Sequence, residues 1–230
     1  MPEPHPRPER IGHRGAPREF DENTLESFLR AVERGADAVE LDVHRTRDGA
    51  VVVHHDPVLP GVAGAPAPIV DLTLAEVARH VLARGGRVPT LGAVLDVLGE
   101  RATVYVELKG EGVGEAAAAV ARTHGHRYAF HSFDHAAVLS LRARWPGLDY
   151  GVLLDAGTPA PESLVAGLPV RDIWAHWSLV DERLTGAAHA AGKRVLAWTV
   201  NDPEAARRFT AFGVDGLCTD DVRLLDAPVG

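Results

Sequence analysis

AVELDVHRTRDGAVVVHH, residues 38–55, is the stretch on which the fold turns. Its two ends are β-like runs, 38–43 and 50–55, and between them stands Asp48-Gly49, the pair most favoured in a two-residue hairpin turn. With Asp48 and Gly49 at the centre of the turn, Arg47 faces Ala50, the runs pair antiparallel, and Asp42 falls opposite His55. Outward from this hairpin the chain alternates β-like runs with amphipathic helical stretches, with Gly, Pro or Asp at the junctions. The remaining runs are 10–13, 103–109, 128–132, 150–154, 173–177, 195–200 and 215–219. Nine strands are one too many for an eight-stranded barrel. Setting 50–55 aside as an antiparallel return strand leaves eight, and the α/β alternation predicts a (β/α)8 TIM barrel, a fold that closes from roughly 200 residues upward.

The helical stretches agree. Asn23 is the predicted N-cap of 24–34, where Leu25, Phe28, Leu29 and Val32 share a face and Gly35 supplies the stop. Similar stretches follow at 91–98, 115–124, 135–145, 182–191 and 203–212. Residues 57–89, rich in Pro, Gly and Ala with one helical piece at 74–82, read as a short insertion over the barrel mouth. Residues 1–8 read as a solvated tail, which leaves 9–227 as one barrel in a chain of 230 residues.

Composition narrows the function. No apolar run approaches the ~20 residues that span a bilayer, and the proline-rich start has no apolar signal segment, so a cytoplasmic protein without stable membrane association is expected. The single cysteine, Cys218, excludes an intramolecular disulfide and a thiolate metal cluster, and it reads as a small buried hydrophobe. A net charge of −8 opposes nonspecific attraction to nucleic acid, which is not an expected partner.

The chemistry gathers at strand ends. Residues two apart share a strand face, so Glu40 and Asp42 project together, as do Glu107 and Lys109 on the next barrel strand. Sites of this fold are built at the C-terminal strand ends. Three carboxylates there can hold one divalent cation, and an all-oxygen set suits Mg²⁺ or Ca²⁺; pairing with Arg14, Arg45 or Lys109 is the alternative. His13 ends the first strand and the hairpin brings His55 beside Asp42, so two imidazoles reach the same mouth, able to act as general base and general acid. Arg14 and Lys109 add positive charge for phosphate oxygens, the combination that phosphodiester cleavage requires. His54 is expected to point away and His44 to lie further along the hairpin; His131 and His176 end barrel strands, and Trp174 and Trp177 read as core or rim packing.

Ordered blocks along the chain now carry a resemblance. His13-Arg14-Gly15, Glu22-Asn23-Thr24, Glu40-Leu41-Asp42-Val43, Asp48-Gly49, His55-Asp56, Glu107-Leu108-Lys109, Ser132-Phe133, Trp198-Thr199-Val200-Asn201, Gly213-Val214-Asp215-Gly216 and Thr219-Asp220 together resemble the glycerophosphodiester phosphodiesterase family over residues 10–222. The resemblance implies a metal-dependent barrel that hydrolyses small glycerophosphodiesters to an alcohol and glycerol 3-phosphate. It implies Glu40, Asp42 and Glu107 as ligands of one divalent cation, His13 and His55 as the acid–base pair, Arg14 and Lys109 on the phosphate, and Phe133 with Trp198 lining the glycerol side. Asn23 matches a family position, and Asp56 stands where it can orient His55 or turn the chain into Pro57. Two rival readings keep the fold: a phospholipase-like enzyme on intact lipid, and a barrel that binds a phosphorylated metabolite without turnover. The segment after Asp56, Pro57-Val58-Leu59-Pro60-Gly61, departs from the family pattern and leaves the head group open.

Overall fold

The structure, a computed structural model, describes residues 7–60, 66–125 and 127–226. Residues 1–6 of the predicted tail, 61–65 of the predicted insertion and 227 at the predicted barrel end lie outside the described residues. The strands are β1 (Glu9–His13), β2 (Ala38–Arg45), β3 (Val51–Val53), β4 (Val58–Leu59), β5 (Ala67–Pro68), β6 (Thr103–Leu108), β7 (Tyr128–Ser132), β8 (Asp149–Leu154), β9 (Asp172–His176), β10 (Arg194–Trp198) and β11 (Gly216–Thr219). The helices are α1 (Leu25–Glu33), α2 (Leu74–Val77), α3 (Leu91–Leu98), α4 (Val113–Ala121), α5 (His135–Arg144), α6 (Pro161–Gly167), α7 (Glu182–Ala190) and α8 (Pro203–Ala211). Parallel pairing runs β1-β11-β10-β9-β8-β7-β6-β2 and closes through β1–β2, the eight-stranded barrel that the sequence predicts.

The two faces of each strand build two cores. Ile11, Ala38, Tyr105, Ala129, Leu153, Trp174, Leu196 and Cys218 point inward and fill the lumen. The opposite faces, with Val39, Leu41, Val104, Val106, Phe130 and Val152 among them, pack under the helices. Helix starts follow capping chemistry: Thr24, Thr90, Asp134, Asp181 and Asp202 each accept a backbone N–H of the first turn. The cap of α1 is therefore Thr24 and not Asn23, which stands one residue earlier with a left-handed φ of 59°. Helix α6 has no counterpart in the sequence reading, because seven residues, Pro161 among them, are too few to display a helical period. The predicted helix at 74–82 is confined to Leu74–Val77, closed at its start by a Thr73–Glu76 capping box.

The hairpin forms with a different register. Val43 faces Val53, His44 faces Val52 and Arg45 faces Val51, while Thr46 N donates to Ala50 O at 2.9 Å and Gly49 N to Thr46 O at 3.0 Å. The loop therefore holds three residues, Arg47, Asp48 and Gly49, with Gly49 at the positive φ (87°) that a three-residue loop demands. A one-residue slip exchanges faces. His54, not His55, meets Asp42, through His54 N donating to Asp42 O at 2.9 Å. On the hairpin sits a small separate core of Val52, Leu59, Ile69, Val77 and Val88, so the described part of the insertion is anchored to β3.

The N-terminal end of the barrel is shut by charge pairs. Arg194 Nη2 reaches Glu9 Oε2 at 2.6 Å, Tyr105 Oη donates to the same oxygen at 2.7 Å, and Arg171 Nη2 reaches Asp172 Oδ2 at 2.6 Å. The cleft beside them is about 780 Å³, and among its lining residues Glu9, Asp149, Arg171 and Arg194 are engaged in ion pairs. Above this layer Gly151 makes room: a Cβ there would stand 2.9 Å from Trp174 Cδ1 and 3.1 Å from Asp172 Cβ. Gly151→Ala is expected to lower the unfolding free energy by about 1–3 kcal/mol through overpacking, measured by urea denaturation.

Candidate active site

Period-two alternation continues each lumen-facing row upward: His13 above Ile11, Glu40 and Asp42 above Ala38, Glu107 and Lys109 above Tyr105, His131 and Phe133 above Ala129, Trp198 above Leu196. His13, Arg14, Glu40, His55, Glu107, Lys109, Phe133 and Trp198 line one cavity of about 100 Å³, together with His131, Leu153, Trp174 and Cys218. Eight of the nine predicted site residues thus share its wall. The ninth, Asp42, is fully buried and held by Asn23 Nδ2 at 2.8 Å, Arg14 Nε at 3.2 Å and Lys109 Nζ at 3.2 Å. Lys109 Nζ also stands 3.2 Å from Glu107 Oε1 and so bridges two carboxylates.

The acids share their charge unequally. Burial, with repulsion from Asp42 and Glu107, pushes the Glu40 carboxyl well above the usual range. Glu107 is pushed up to about 7, first by burial and then by Asp42. Burial acts on Asp42 too, but Arg14, Lys109 and the Asn23 amide outweigh it and hold this carboxyl below its ordinary value. Three acids thus face the charges of Arg14 and Lys109, and for two of them burial and mutual repulsion outweigh that positive charge. The donor set fits a cation: a carboxylate oxygen of Glu40, one of Glu107 and an imidazole nitrogen of His131 lie within 4.8 Å of one another.

Each predicted catalytic imidazole is braced at Nδ1. His13 Nδ1 lies 2.7 Å from Asp220 Oδ1, and Asp220 Oδ2 accepts from Asn201 Nδ2 at 2.6 Å. Burial opposes ionisation of Asp220, yet His13 and Asn201 hold its carboxyl below the ordinary value. His55 Nδ1 lies 2.9 Å from Asp56 Oδ1. With the hairpin slipped, His55 does not reach the cavity as a ladder residue beside Asp42; the chain leaves the strand after Val53 and bends, and His44 Nε2 donates to the His55 carbonyl at 3.1 Å. Phe133 is exposed and sets its ring against Trp198 at 5.6 Å and 80°, while Trp198 Nε1 donates to Trp174 O at 3.1 Å. His176, the other strand-end histidine, turns to Ser178 Oγ at 2.8 Å and does not line the cavity.

A model of the glycerophosphoryl diester phosphodiesterase family matches residues 13–224. The chain belongs to this family. Glycerophosphodiester phosphodiesterase of Caldanaerobacter subterraneus subsp. tengcongensis is 29% identical over 94% of this chain and 95% of its own. Among solved structures, the Thermotoga maritima glycerophosphodiester phosphodiesterase superposes with a TM-score of 0.81 at 29% identity, covering 96% of this chain and 98% of that one. An Oleispira antarctica phosphodiesterase, solved in complex with the product sn-glycerol-3-phosphate, gives 0.85 at 28% identity, with 96% of each chain covered. The chain is an enzyme of the phosphodiesterase class.

Three participants escaped the sequence reading of the site. Asp220 and Asn201 stand in the motif blocks, but the His13 that Asp220 meets is about 200 positions away in sequence, and only barrel closure unites them. His131 was marked as a strand end without a ligand role. Asn23 is a further correction in kind: its Nδ2 holds Asp42 and its Oδ1 accepts from Asp42 N at 3.4 Å, so it is a buried brace, not a helix cap. Its left-handed φ reverses the usual substitution order. Both Asn23→Ala and Asn23→Gly lose the amide, but only alanine strains the backbone, so the alanine variant is expected to be less stable than the glycine variant by about 1 kcal/mol in urea unfolding.

Proposed function

We propose that this enzyme hydrolyses small glycerophosphodiesters to an alcohol and sn-glycerol 3-phosphate, with His13 and His55 as its acid–base pair. The observation that carries this reading is the meeting, in one small cavity, of two imidazoles each tied at Nδ1 to an aspartate. That leaves Nε2 of each for the substrate. One takes the proton of the attacking hydroxyl and the other delivers a proton to the departing alcohol oxygen. The attacking group is either the free hydroxyl of the glycerol next to the phosphate, which closes a cyclic phosphate that water then opens, or a water that attacks phosphorus directly. An internal nucleophile can reach an effective molarity of ~10⁵ M or more when well oriented.

Arg14 and Lys109 hold the phosphate, and Phe133 with Trp198 pack on the glycerol side. Glu40, Asp42 and Glu107 form the acidic seat of one divalent cation, for which carboxylates alone suit Mg²⁺ or Ca²⁺. When bound, the cation supplies positive charge for the phosphate oxygens. No helix among the described residues is long and apolar enough to cross a membrane.

The purified protein, given glycerophosphocholine, glycerophosphoethanolamine or glycerophosphoglycerol with Mg²⁺ or Ca²⁺, is expected to release glycerol 3-phosphate. Release should stop with EDTA and fall about 10²–10⁴-fold in His55→Ala. Failure of all three substrates with either cation overturns the proposal. A second outcome concerns Asp220 as a positioning residue. Asp220→Asn should lower kcat roughly 10²-fold with KM within a few-fold and partial recovery in Asp220→Glu; an equal loss through KM would mean that Asp220 binds substrate and does not orient His13.

A further inference from the structure

We propose that the groove between helices α4 and α5 seats the leaving alcohol and selects for one that carries an alkylated ammonium, with Glu111 as the residue that makes the choice. This rests on the reading of the enzyme as a glycerophosphodiester hydrolase and names the substrate class within it. The groove, about 610 Å³, is built from the β6–α4 loop, the β7–α5 loop and the two helices that follow them. Glu107, Lys109 and Phe133 line both it and the cavity that holds the two histidines. Lys109 is the proposed holder of the phosphate, so an ester group on that phosphate can extend into the groove.

The lining combines apolar surface with negative charge. Val113 and Leu141, both buried, and the exposed ring of Phe133 supply the first. For the second, Glu111, Glu115 and Asp134 stand beside Glu107, and Lys109, the one cation of the lining, is already set between Asp42 and Glu107. Asp134 gives an oxygen to the start of α5, and Glu115 meets Arg144 Nε at 3.8 Å and Trp145 Nε1 at 3.3 Å. Glu111 differs from both. The loop turns on Gly110 and Gly112, each at positive φ (83° and 69°), and holds Glu111 exposed between them, its carboxylate without an ion pair or hydrogen bond among the described residues. Arg45 approaches Gly112 from the hairpin and does not line the groove.

A quaternary ammonium suits such a lining better than a neutral polyol or a primary ammonium does. Its methyl groups carry the charge against apolar and aromatic surface, where a ring face adds attraction. It donates no hydrogen bond, so one unpaired carboxylate satisfies it through charge alone. A choline ester is the simplest substrate of this class.

The test compares glycerophosphocholine with its uncharged isostere, glycerophospho-3,3-dimethylbutanol, in which carbon replaces the nitrogen, by release of glycerol 3-phosphate under one and the same cation. Wild type is expected to favour the choline ester about fivefold in kcat/KM, falling toward parity in about 0.5 M NaCl, because an exposed carboxylate acts through screened charge. Salt effects on the phosphate contacts cancel in the ratio. Glu111→Gln should bring the ratio to about two and Glu111→Lys below one; Glu111 is exposed on a loop, so neither change disturbs the core. A ratio near one in wild type, a preference that neither variant moves, or turnover of glycerophosphoglycerol without turnover of the choline ester overturns the proposal and leaves the hydrolase standing. Release from none of these diesters overturns both.

Discussion

Three carboxylates on two adjacent strands, all facing the lumen, are the constraint around which the rest of the mouth is arranged. Glu40 and Asp42 are two apart on β2, and Glu107 is the register partner of Asp42 on β6, so barrel closure cannot separate them. Left alone, such a cluster would neutralise itself or disrupt the strand ends. Arg14 and Lys109 prevent this for Asp42, while Glu40 and Glu107 stay under pressure to take up protons. On the proposed reading, a cation seated here would relieve both the burial and the mutual repulsion that act on Glu40 and Glu107.

The opposite end of the barrel shows the same problem solved without a site. Glu9, Asp149 and Asp172 each meet an arginine there, and Tyr105 joins the network. The contrast separates a polar cluster that holds a barrel shut from one that works. At the base Glu9, Asp149 and Asp172 each have an arginine, and at the mouth Glu40, Asp42 and Glu107 have Arg14 and Lys109 between the three of them.

Much of this was legible in the chain. Eight strands, the hairpin and the convergence of His13, Glu40, Glu107 and Lys109 follow from period-two alternation and strand ends, which depend on local sequence alone. What was misread depends on geometry that no pattern encodes. Asp48-Gly49 serves a three-residue loop as well as a two-residue one, and the choice moved every pair on the hairpin by one. Asn23 and Thr24 are both good caps, and the positive φ that turns Asn23 inward to Asp42 is set by packing of the 14–24 loop. The bond from Asp220 to His13 joins the last strand to the first and exists only because the barrel closes.

The slipped register bears on how the two histidines are held. His13 is the last residue of a barrel strand, and its aspartate is 29% exposed and braced in turn by Asn201. His55 lies past the end of β3, its aspartate is 71% exposed, and a carboxylate so wet is a weak restraint. What holds His55 is its backbone, through His44 on the carbonyl and through His54, the last residue bonded to β2. The residues that follow run directly into the insertion, whose small core is anchored on Val52. One imidazole is thus positioned by the barrel and the other by the loop that carries the insertion, so a change in the length or packing of residues 57–89 reaches His55 and leaves His13 in place.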